Sequence, residues 1–145
     1  MTDELVYANI TYVMEDERRK QTEQNLIKSG KAEFLSKGYV KANLRDICKA
    51  AGVTTGAFYF SFENKEALLA AILDPVIAEY RNMCSGLAKR EEDDPGTAED
   101  NERLMMEYLS AHRAEVIILM EKSGGSRYEG FRKQVDAQMQ AAFTS

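Results

Sequence analysis

Between Leu44 and Lys65 the sequence reads LRDICKAAGVTTGAFYFSFENK, and no other stretch constrains the fold as much. Two short helix-forming runs meet at the turn Ala51-Gly52-Val53, a helix-turn-helix pattern. Asn43 stands where an N-cap is needed for a helix over Leu44–Ala51, and Asp46 falls in its first turn, where the helix dipole favours a carboxylate. Gly52 ends that helix, since glycine takes positive φ without a side-chain penalty. Thr54 caps a third short helix beginning at Thr55. Ile47 and Ala50 on one helix, with Val53, Ala57 and Phe58 around the next, supply a small shared core. The outward residues Thr54, Thr55, Gly56 and Ser61 are small or polar, as needed to press a helix N-terminus into a major groove.

The pattern stays helical along most of the chain. Residues 15–37 are helix formers with Leu26, Ile27, Phe34 and Leu35 at helical spacing, ended by Gly38. Gly30 inside this run costs about 1 kcal/mol relative to alanine. A fourth helix begins near Asn64-Lys65-Glu66 and carries Leu68, Leu69, Ile72 and Leu73. Pro75 predicts a kink or a fresh start before it continues to about Arg90. Glu91–Gly96 (EEDDPG) reads as a linker, and a further helix from about Thr97 carries Leu104, Met105, Tyr108, Leu109 and His112. Val116–Met120 is apolar all round, the mark of a helix buried on every side. Ser123-Gly124-Gly125-Ser126 breaks it before a last amphipathic helix, Tyr128 to Phe143, through Phe131, Val135, Met139 and Ala142. The β-branched Val6, Ile10, Thr11 and Val13 leave residues 1–14 open to three readings: an arm, an extra turn or disorder. The fold class is therefore all-α, divided into 1–14 as an arm, 15–64 as a helix-turn-helix head and 65–145 as a helical body.

At 145 residues the chain makes one domain, or one with a partial second, and buries roughly 68–70% of its unfolded surface without staples. Cys48 and Cys84 have no Cys or His partner at metal-ligand spacing, so neither a disulfide framework nor a metal is expected, and a reducing cytoplasm fits. An acidic start, Met-Thr-Asp-Glu, and the lack of an apolar run of about 18 residues argue against a signal peptide or a membrane span. One histidine, no nucleophile constellation and no Gly-rich phosphate loop argue against an enzyme or a bound cofactor. The formal net charge of −5 argues against nucleic acid until it is divided. Residues 15–65 hold ten Lys/Arg against seven Asp/Glu, while residues 66–145 hold nine against fifteen. A nucleic-acid-facing part joined to an acidic body has this asymmetry.

Phe34, Gly38-Tyr39, Leu44-Arg45-Asp46-Ile47, Ala50-Ala51-Gly52-Val53, Gly56-Ala57-Phe58-Tyr59, Phe62 and Asn64-Lys65-Glu66-Ala67-Leu68 together resemble the N-terminal domain of the TetR/AcrR family of transcriptional regulators. The resemblance runs from Leu26 to Leu69 with ordered spacing. It implies a homodimer on palindromic operator DNA and a ligand-binding helical body that controls release, most simply as a repressor. It also implies DNA contacts from Thr54, Thr55, Gly56, Tyr59, Phe60 and Ser61, with Tyr59 and Lys65 on phosphates. Lys41, Asn43 and Arg45 join this candidate set. Phe60-Ser61 departs from the commoner polar or histidine-bearing pair, and an apolar Phe60 suits a thymine methyl. Family members continue for two more long helices that form most of the dimer interface, so the resemblance implies either truncation at Ser145, the favoured reading, or a different way of pairing.

Each functional reading stands beside a structural one. Lys37, Lys41, Arg45, Lys49 and Lys65 are phosphate contacts or a solvated face, and Arg18-Arg19-Lys20 an adjacent phosphate contact or a solvated helix start. Tyr80, Met83, Met105, Tyr108, His112 and Met120 are candidates for an effector pocket, since methionine suits adaptable cavities, although such a stripe is more often plain core. His112 near a helix end and Cys48 in a small-residue slot read first as structural. The rival to a DNA-binding regulator is a helical protein-interaction module that keeps the helix-turn-helix shape without reading DNA.

Overall fold

A computed structural model describes residues 2–144, and the side chain of Ala142, assigned above to the last helix, lies outside the described residues. Among the described residues there are seven α-helices and no strand: α1 (Thr2–Lys37), α2 (Leu44–Ala51), α3 (Thr55–Ser61), α4 (Lys65–Asp93), α5 (Ala98–Ala111), α6 (Arg113–Glu121) and α7 (Phe131–Thr144). A single 3-10 turn, Pro95–Thr97, joins α4 to α5.

The short helices of the head form where their caps dictate. The Asn43 side chain accepts from the N–H groups of Arg45 and Asp46, Thr54 accepts from Ala57, and Asn64 accepts from Ala67. Gly52 sits at φ 72°, and its N–H closes α2 onto the Cys48 and Lys49 carbonyls. Leu26, Phe34, Ile47, Cys48 and Phe58 fill the space between α1, α2 and α3, and Leu68, Leu69, Ile72 and Leu73 carry the same core down α4 to Ile118 and Leu119. Gly30 is what lets α1 and α4 touch: a Cβ there would stand 2.7 Å from Leu68 Cδ2. Its cost in helix propensity is offset by this close approach.

Several expectations are corrected. The first helix starts at Thr2 rather than Glu15, and every residue from Thr2 to Lys20 is exposed. Ala50 is exposed, so Cys48 takes the place expected for it in the α2–α3 core. Pro75 does not begin a fresh helix, since α4 continues through it; it sits on an exposed face, where water can take the carbonyl its missing N–H leaves free. Helix continues through Glu91–Asp93, leaving only Asp94–Thr97 as the connection. His112 separates two helices instead of ending one run. Of the apolar run in α6 only Ile118 and Leu119 are buried, while Val116, Ile117 and Met120 stay half-exposed. Tyr128 precedes α7 and is buried, its hydroxyl donating to Asp74 Oδ1.

Candidate nucleic-acid interface

Helix α3 is held from behind by Phe58, which is fully buried and packs on Phe62 with ring centroids 5.7 Å apart. Its opposite face is open. Thr54, Thr55 and Gly56 are exposed at the helix start, followed by Tyr59 at 59% and Phe60 at 74% exposure, while Ser61 is half-buried. Because Phe58 must point inward, Tyr59 and Phe60 are forced outward to either side.

Those two flanks differ. On one, Thr55 and Tyr59 share a shallow hollow of about 500 Å³ with Asn43, Leu44 and Arg45. The N-terminal ends of α2 and α3 therefore converge on one space with the exposed Arg45, although Asn43 already takes the Arg45 and Asp46 N–H groups and Thr54 that of Ala57. On the other, Gly56, Ala57, Phe60 and Ser61 face Tyr12, Glu15, Asp16, Arg18, Arg19 and Thr22 of α1 across a groove of about 660 Å³. The Arg19 guanidinium lies 5.1 Å from the Phe60 ring centroid, a cation–π contact. The sequence reading named Arg18 and Arg19 but missed Tyr12 and Thr22, which only the continuous α1 brings there.

The cations are not equivalent. Lys41 and Arg45 are exposed beside the α2 start. Lys37 bridges Glu33 and Asp46, both at 3.2 Å, and so ties α1 to α2. Lys65 is half-buried: its Nζ donates to the Val40 and Ala42 carbonyls at 3.3 Å each and lies 4.6 Å from the Tyr39 ring centroid. It holds the α1–α2 loop in place. Asn43 likewise spends its Oδ1 on the cap of α2.

In the body, Tyr80, Tyr108 and His112 stack in series, with centroids 6.0 Å and 4.4 Å apart, between α4 and α5. Tyr108 donates to Glu79 Oε2 at 2.8 Å, and burial followed by that carboxylate pushes its phenol up to about 12. His112 Nδ1 lies 3.0 Å from Glu115, whose other oxygen is 3.5 Å from Lys31 of α1. Burial pushes the Glu115 carboxyl up, but His112 and Lys31 outweigh it and hold the group below the usual range. Met83, Met105 and Met120 are half-buried. Burial also pushes the Cys48 thiol up, as befits an inert core cysteine.

Helices α1 to α3, with α3 presented outward across the end of α1, define a helix-turn-helix head. Residues 26–72 match the family model described as bacterial regulatory proteins, tetR family. The HTH-type transcriptional regulator TtgR of Pseudomonas putida is 32% identical over 79 residues, covering 54% of this chain and 38% of that protein. The probable acrEF/envCD operon repressor of Escherichia coli is 48% identical over 48 residues, 33% of this chain and 22% of that one. Native NalD, the secondary repressor of the MexAB-OprM multidrug efflux pump in Pseudomonas aeruginosa, superposes with a TM-score of 0.53 at 25% identity over 83% of this chain and 62% of its own. Residues 26–72 thus match the head of the tetR family of bacterial regulatory proteins, and the fold of the chain is similar to that of NalD. It spans 38% of the length of the first two curated relatives it matches.

Proposed function

We propose that this chain is a DNA-binding transcriptional regulator that represses by occupying a palindromic operator and releases it when a small molecule enters the helical body. The observation that carries the reading is the hollow where the starts of α2 and α3 converge, with Arg45, Thr55 and Tyr59 around it. Phosphate oxygens suit helix N-termini and an adjacent guanidinium, and the thin face of Thr55 and Gly56 lets the helix approach base edges. Tyr59, Lys41 and Arg45 are the phosphate contacts, and Thr54, Thr55, Gly56, Phe60 and Ser61 the groove-facing set. Lys65 and Asn43 serve as positioning residues, fixing the loop and the helix start that carry the others. A symmetric pair of chains in the cytoplasm would place two α3 helices about 34–36 Å apart, in successive major grooves.

The effector reading assigns Tyr80, Met83, Met105, Tyr108, His112 and Met120 to a pocket among α4, α5 and α6. Helix α4 runs unbroken from the head at Lys65 to Asp93, so a wedge beside Tyr80 tilts the whole rod. A second route crosses at the turn after α6, where the Tyr39 N–H donates to the Lys122 carbonyl at 2.9 Å. Release requires that the effector bind the tilted arrangement more tightly than the DNA-competent one. A gel shift with a mixed-sequence duplex pool tests the DNA reading: the chain binds, and Tyr59→Ala and Arg45→Ala weaken it. A chain with no affinity for duplex at moderate salt, yet a protein partner, would instead be the interaction module.

A further inference from the structure

Helix α1 is 36 residues long, yet its first buried residue is Leu26. The exposed half carries Val6, Ile10 and Val13 at 53%, 53% and 56% exposure, with Tyr7 and Met14 beside them. Their four-then-three spacing makes a straight apolar seam, and Asp3, Glu17 and Lys20 continue it at both ends. The seam lies on the side of α1 away from Tyr12, Arg19 and the groove facing α3, so the protein's own head does not cover it. A projecting helix with three β-branched residues on one face is marginal alone and depends on packing. Its acids Asp3, Glu4, Glu15, Asp16 and Glu17 precede its first base, Arg18, which makes this face a poor partner for DNA.

We infer that the occupant is a second copy of the same helix, paired antiparallel. With Ile10 against Val13 of the partner subunit, Asp3 falls against the partner's Lys20, and symmetry repeats the match at the other end. The seam is thus self-complementary in charge as well as in shape. Lys20 pairs within its own helix with Asp16 at 3.2 Å, but both side chains are exposed, and such a pair is readily shared. The Val6 side chain packs along the aliphatic stem of Glu17 from the other helix. This pairing stands whether or not the head reads DNA.

Sedimentation velocity of the whole chain without DNA tests it. The wild type is expected to run at twice the chain mass, and Ile10→Asp/Val13→Asp at the single-chain mass with a lower far-UV helical signal. Asp3→Lys should raise the dimer dissociation constant several-fold, and Asp3→Lys/Lys20→Asp should return it to within about twofold of wild type. A monomeric wild type, or an Ile10→Asp/Val13→Asp chain that still dimerises, would overturn the proposal. Failure of the charge exchange to restore pairing would overturn its antiparallel register.

Discussion

Arg127 reaches Glu66 across 61 residues of sequence, donating from Nε at 2.9 Å and from its backbone N–H at 3.3 Å to the same carboxylate oxygen. The Tyr39 hydroxyl donates to the other oxygen at 3.5 Å. One carboxylate therefore joins the turn after α6, the first turn of α4 and the loop leaving α1. If this is the latch between body and head, Arg127→Ala should speed amide exchange at Tyr39, whose N–H donates to Lys122 on the same turn. Exchange at Ile47, deep in the head, should be unchanged at matched stability.

Acid should open the same contacts. The Arg127 guanidinium holds Glu66 below the usual range, and Glu115 is lowered on balance by His112 and Lys31. Groups with lowered native values stabilise the fold above the ordinary glutamate value of 4.5 and lose that contribution as pH falls through the lowered one. Thermal unfolding followed from pH 7 to about pH 3 should steepen below the ordinary value, and Glu115→Gln should flatten part of that limb. At pH 7 the same variant should be less stable by roughly 1–3 kcal/mol, since Lys31 and His112 lose their ionised partner.

Gly30→Ala sets two effects against each other. Alanine gains about 1 kcal/mol of helix propensity. The new methyl meets Leu68 Cδ2 at 2.7 Å and Cγ at 3.2 Å in a fully buried contact, and overpacking costs about 1–3 kcal/mol. Net destabilisation of about 1 kcal/mol is expected from denaturant unfolding. A more stable variant would mean that α1 and α4 are less tightly pressed than their geometry indicates.

Much of the head was legible because its signals are local. Asn43, Gly52, Thr54 and Asn64 each act within four residues of chain, and all four do in the structure what their residue type suggests. What stayed illegible depends on distant packing. Residues 2–14 are exposed throughout, so no buried stripe of the head marks them, and an arm, an extra turn and disorder look alike in sequence. Lys65 reads as a free cation until the loop carbonyls of Val40 and Ala42 fold back onto it. Of the six effector-pocket candidates, Tyr80, Tyr108 and His112 come into ring contact, an arrangement that needs both α4 and α5 in place.

Substitution at the cap separates folding from recognition. Asn43→Ala removes the acceptor for two N–H groups and should cost about 1 kcal/mol in stability, which Asn43→Asp should largely restore. Phe60→Ala, at an exposed site, should leave stability within about 0.5 kcal/mol of wild type.

The salt dependence of duplex binding bears most directly on the claim that the α2–α3 hollow grips DNA. Between about 50 and about 200 mM salt the affinity should fall steeply, and Arg45→Ala should lower the log–log slope by about 1 while leaving the fold intact. Binding that ignores salt, or an Arg45→Ala slope and affinity equal to wild type, would contradict the account.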